Sequence, residues 1–151
     1  MVLIGRNTKS NMSTRILDKS LAIAKQLFGE SYSNKHGYRC YHFAFAFERN
    51  KLIGIGQNGP YQPNAKAIKF SDKFGFVNPH KRKNRHAEID LISRLWGKYY
   101  IDNRIKLVVL RLNSRNELRS SKPCPNCQIV LDAIGISRVW YSNNDGIIVT
   151  R

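Results

Sequence analysis

Two short motifs separated by one strand constrain this chain more than any other feature. His86, Ala87 and Glu88 open an amphipathic stretch in which Ile89, Leu91, Ile92, Leu95 and Trp96 recur at helical spacing. Pro123, Cys124, Pro125, Asn126 and Cys127 open a second helix that runs to Ile134 and stops at Gly135. Between them Ile105 to Leu112 is a β-branched and leucine-rich run, the pattern of a buried strand. Helix, strand, helix in that order carries both helix starts to one edge of a sheet.

The remaining elements follow from periodicity. Ser13 to Phe28 reads as an amphipathic helix, with Ser13 or Thr14 as N-cap and Gly29 as a stop. Arg39 to Arg49 reads as a strand with Tyr41, Phe43, Phe45 and Phe47 on one face, and Lys51 to Gln57 pairs with it across Asn50. Arg138 to Ser142 and Gly146 to Thr150 flank Asn143, Asn144 and Asp145, a connection so short that it permits only an antiparallel hairpin. The segment from Asn58 to Arg85 holds Pro60, Pro63 and Pro79 and reads as a long surface loop. At 151 residues the chain is expected to form one domain of α/β class, a three-layer fold. Its mixed sheet would have about five strands, with helices on both faces and the last two strands antiparallel.

No apolar run approaches the roughly 20 residues of a spanning helix, and Met1 to Ile4 is too short for a signal-peptide core, so an intracellular protein is the default expectation. The charge is less ordinary. Lys plus Arg number 26 against 10 Asp plus Glu, a net +16, well above the magnitude of about 2 to 8 that serves a small domain for solubility. Such an excess favours polyanionic partners. Seven of the cations (Lys66, Lys69, Lys73, Lys81, Arg82, Lys83, Arg85) lie in the 58–85 loop against the single acid Asp72.

The two motifs carry the chemistry. Cys124 and Cys127 are three apart on a helix and share a face, and the positive end of the helix dipole favours their thiolates. With His86 they offer three donors to a zinc ion (Zn2+), which leaves a fourth tetrahedral position for water, the arrangement of a catalytic site. Glu88 leaves the same helical turn in another direction and suits a proton shuttle. A closed structural zinc would need a fourth ligand from His36, Cys40, His42 or His80, and would leave Glu88 without a role. A redox use of the CxxC pair would leave both His86 and Glu88 idle.

Together the His86-Ala87-Glu88 and Pro123-Cys124-Pro125-Asn126-Cys127 motifs resemble the zinc-dependent cytidine deaminase superfamily. The resemblance implies hydrolytic deamination of cytosine or, less directly, adenine, with His86, Cys124 and Cys127 on zinc and Glu88 as acid and base. It also implies Asn58 against a substrate sugar, although Asn58 suits a turn before Gly59 and Pro60 equally well. The Ala87 backbone and the Ser121 to Pro123 segment would line a base pocket, with Tyr61 as a stacking contact. The terminal hairpin resembles the branch of free-cytidine and toxin-type deaminases rather than the branch with tRNA adenosine, deoxycytidylate and polynucleotide-editing enzymes.

Two substrate classes follow. Cytosine in single-stranded DNA or RNA would be drawn in by Lys81, Arg82, Lys83 and Arg85 on one side and Arg119 and Lys122 on the other. A free cytosine nucleoside or nucleotide would instead use those cations to grip a phosphate. A nucleic-acid-binding module with an idle zinc site is a third, non-enzymatic class. No membrane partner is expected.

Overall fold

The computed structural model describes residues 3–4, 14–32, 41–59, 65–76 and 85–150, with backbone alone for 3–4 and 30–32. In chain order these form β1 (Leu3–Ile4), α1 (Thr14–Tyr32), β2 (Tyr41–Glu48), β3 (Lys51–Gln57), α2 (Ala65–Lys73), α3 (Ala87–Leu95), β4 (Ile105–Leu112), β5 (Leu118–Arg119), α4 (Pro125–Ala133), β6 (Arg138–Ser142) and β7 (Ile147–Thr150). One mixed sheet joins the strands in the order β1-β7-β6-β4-β2-β3, with β5 on the end of β4. β4 and β6 run parallel, and β6 and β7 are antiparallel. Five strands carry the sheet, as expected, and two-residue pieces, β1 and β5, extend it.

Strand alternation divides the core in two. Phe43, Phe45 and Phe47 of β2 share a face with Val108, Leu110 and Leu112 of β4 and pack against Ile16, Leu17 and Phe28 of α1. Ala44 and Ala46 of β2 join Leu107 and Val109 on the opposite face, beneath α2, α3 and α4. The small residues on this second side let helices approach the sheet. At Gly56 a β-carbon would stand 2.2 Å from the Ala87 carbonyl and 2.7 Å from Leu91 Cβ, so α3 rests on the bare backbone of β3.

The structure corrects two expectations. Gly29 does not stop α1, which continues to Tyr32; Gly29 is exposed, and the packing of Phe28 and Ala24 outweighs the roughly 1 kcal/mol a helical glycine costs. The 58–85 segment is not simply a loop. It contains α2, held by Phe70, which meets Phe74 at 4.8 Å and Trp96 at 5.6 Å between ring centroids. Among the described residues no helix is long and apolar enough to cross a membrane.

Candidate active site

α3 and α4 both begin at the end of the sheet where β4 finishes. Two clamps fix α3 there. Asp90 Oδ2 accepts the Gln57 backbone N–H at 3.2 Å and a 3.0 Å ion pair from Arg94, whose guanidinium also donates to the Ile55 carbonyl, all tying α3 to β3. Gly59 and Arg85 exchange backbone hydrogen bonds of 3.3 Å, which locks the residue before His86 to the end of β3. Phe76, beyond α2, meets the His86 ring edge-on at 5.4 Å and fixes its plane.

The cysteine arm has its own strut. Ser121 Oγ donates to the Val109 carbonyl at 2.5 Å, lies 2.8 Å from Ser142 Oγ and accepts the Ser142 N–H at 2.8 Å. The Ser120 N–H donates to Asn144 Oδ1 at 3.0 Å in the β6–β7 turn. Pro123 follows, buried, and Cys124 caps α4: its Sγ accepts the Cys127 N–H at 3.4 Å, with Pro125 at the first helical position.

His86, Cys124 and Cys127 thereby offer one donor atom each, all within 4.8 Å of one another. His86 Nδ1 is 3.4 Å from Cys127 Sγ and 3.7 Å from Cys124 Sγ. Zinc bonds of about 2.3 Å to sulfur and 2.0 Å to nitrogen at the tetrahedral angle separate such donors by about 3.5 Å, so the cluster fits that ion. The Cys124 thiol is held down to about 3, first by a hydrogen bond from the Cys127 thiol and then by His86 and the Cys127 amide. The same pairing, with burial and the nearby Glu88 carboxylate, pushes the Cys127 thiol up. Metal ligation takes both sulfurs as thiolates and would release their protons.

Glu88 stands beside this group and outside it. It is 5% exposed, and burial raises its carboxyl, opposed by a backbone hydrogen bond and by His86. Among the described residues no other His, Cys, Asp or Glu joins the three donors. His42 comes near without joining. Its ring lies on the same side of the sheet as Ala44, cross-strand from Arg111, and its pKa falls to about 4 through burial first, then the charges of Arg111 and His86. Of the other ligands a closed site would need, His36, Cys40 and His80 lie outside the described residues.

Asn58 reaches the site edge. Its Oδ1 accepts the His42 N–H at 2.9 Å and its N–H donates to the His42 carbonyl at 3.2 Å, so it extends β3 beside His42. Asn58, His42 and Arg111 form a row across β3, β2 and β4. Ala87 is buried against Gly56. The Ser121 hydroxyl is committed to Val109 and Ser142, so that side chain holds the cysteine arm. Arg119 is also engaged, paired with Glu117 at 2.9 Å. Lys122 is exposed in a cleft of about 710 Å³ whose lining contains none of the motif residues, and Arg85 packs its guanidinium over Gly59. Tyr61, Lys81, Arg82 and Lys83 lie outside the described residues. Gly56, Phe76 and Asp90 matter to the site without belonging to either motif; only the Gly-Ile-Gly alternation in β3 signals the helix lying on it.

No protein-family model matches the chain, and no curated protein does. Among solved structures it is similar to the apo dCMP deaminase from the cyanophage S-TIM5, with a TM-score of 0.51 and 21% identity over 90% of both chains. The chain has the fold of a dCMP deaminase. That fold holds here with an antiparallel β6–β7 hairpin at the edge.

Proposed function

We propose that this protein is a zinc-dependent hydrolase that deaminates cytosine in a free nucleotide. The observation that carries this reading is a three-donor cluster of one imidazole and two sulfurs with a buried carboxyl, raised by burial, beside it, in the fold of a dCMP deaminase. Zinc held by His86, Cys124 and Cys127 would supply Lewis-acid activation of water. Glu88 takes a proton from the attacking water and passes it to the ring N3 as oxygen bonds to C4. It then moves the second proton of that oxygen to the exocyclic amine, the C4–N bond breaks, and ammonia leaves. Burial raises the Glu88 carboxyl, which brings it closer to the range in which one group both takes and returns a proton.

The free-nucleotide reading gains support from the Asn58–His42–Arg111 row. Asn58 suits a sugar hydroxyl, and the Arg111 guanidinium, at the end of β4, suits the phosphate. Strand capture has less behind it, since Arg119 is ion-paired with Glu117.

Ammonia release by the zinc-loaded protein on dCMP, CMP, their nucleosides and cytosine-containing oligonucleotides tests the proposal. Conversion of the nucleotides is expected. Conversion confined to oligonucleotides would return the strand reading, and conversion of none would end the deaminase reading. Arg111→Ala is expected to raise KM for the nucleotide about tenfold, leaving kcat and turnover of the nucleoside unchanged; equal losses on both would remove Arg111 from the phosphate. Metal analysis should find one zinc per chain. Cys127→Ala should weaken it by more than the roughly 10- to 100-fold that loss of an outer-shell partner costs, and unaltered zinc binding in that variant would remove the cluster from the metal.

A further inference from the structure

The far end of the sheet holds a second feature that deamination does not use. β4 runs from this end to the site over eight residues, about 25 Å at strand rise. Here the β2–β3 turn, the α3–β4 loop and the starts of β4 and β6 enclose a cleft of about 1070 Å³. That is at the upper limit of small-molecule pockets, which span about 300 to 1,000 Å³. Its walls carry Arg49, Lys51, Arg104, Lys106 and Arg138 against one acid, Glu48. Arg104 is paired with Asp102 at 3.0 Å, and no ion pair engages the other four cations among the described residues. Arg49 keeps φ at 56°, a left-handed conformation that glycine or asparagine adopts more readily, so a long cation stands where turn chemistry alone favours a small residue.

Tyr100 separates this cleft from an ordinary basic surface. It is 74% exposed, in a position where an apolar ring gains nothing from the fold. The Arg104 guanidinium lies 5.0 Å from its centroid and, fixed by Asp102, backs the ring. A supported aromatic platform beside a row of cations is the recognition chemistry of single-stranded nucleic acid, in which phosphates meet the cations and a base stacks on the ring. A folded acidic protein would use the cations and leave the ring idle.

We propose that the Arg49–Lys51–Lys106–Arg138 cleft with Tyr100 is a docking site for single-stranded nucleic acid, separate from the deamination site. It gives part of the +16 charge a task that a free nucleotide does not demand.

Fluorescence anisotropy with a labelled oligothymidylate of about 12 nucleotides tests this on the zinc-loaded protein, because a strand without cytosine offers no substrate. Salt-sensitive binding is expected, with log K falling against log salt at a slope of about −3, as four single-strand phosphate contacts give. The Lys106→Glu/Arg138→Glu variant should lose at least about tenfold in affinity, and Tyr100→Ala about fivefold or more. Zinc content and melting temperature report that both variants fold. On the native protein, the oligonucleotide should shield Lys51 and Lys106 from acetylation. Absence of binding, or binding that ignores the charge reversals and leaves both lysines reactive, would overturn the proposal. Polyglutamate competing as well as the oligonucleotide, with Tyr100→Ala silent, would give the cleft to an acidic protein and overturn it equally.

Discussion

Glu88→Gln is expected to retain zinc and to lower kcat by about 10³-fold or more, the upper part of the range that a positioned acid and base contributes. The substitution keeps the shape of a side chain that is 5% exposed and removes only the titrating proton. Because burial already raises the Glu88 carboxyl, an uncharged amide suits the position, and the variant should melt no lower than the native protein. Rate loss with intact metal and undiminished stability is the signature of a proton shuttle. Metal lost along with activity would make Glu88 a support for the cluster, and retention of a tenth of native kcat would place the acid and base elsewhere.

The second large effect is expected from one methyl group. Gly56→Ala would put its β-carbon 2.2 Å from the Ala87 carbonyl and 2.9 Å from the Leu91 amide nitrogen, both backbone atoms of α3. Neither can rotate away, so the helix itself must shift. The cost should reach about 3 kcal/mol, the upper end of ordinary overpacking. His86 and Glu88 ride on the displaced turn, so zinc affinity should fall with stability. Gly54→Ala is the control: its nearest neighbours, at 2.7 and 3.2 Å, are Leu91 Cδ1 and Leu95 Cδ2, ends of side chains that can change rotamer. Urea denaturation should therefore separate the two variants by about 1 kcal/mol or more. Equal costs, or a neutral Gly56→Ala, would show that α3 does not rest on β3 in the manner described.

Much of this architecture was readable from residue order. β3, β4 and β6 occupy the spans their apolar patterns predict, and the face carrying Phe43, Phe45 and Phe47 packs on α1 because alternation in a strand leaves no other choice. The clustering of His86, Cys124 and Cys127 was legible for a related reason: each motif opens a helix, and a strand between them brings the openings together. α2 was not, because Pro63 and Gly75 bracket a polar stretch whose apolar face is little more than Ala67 and Phe70. Its partner, Trp96, is distant in sequence, so packing makes the helix where local pattern does not. The Asn58–His42–Arg111 row depends on register between three strands, and the Ser121 hydroxyl on a contact with Ser142 across 21 positions. Neither leaves a mark within any window of the sequence.

The strut from Ser121 and Ser120 to Ser142 and Asn144 gives the centre a history in time. The two sulfurs leave the ribosome before β6 and β7, which hold the arm that carries them. A nascent chain ending near Gly135 has every donor atom and lacks the brace that fixes two of them. In a chain that binds zinc as proposed, capture in the final geometry would wait for the last hairpin to close, and loading would report that the sheet is complete.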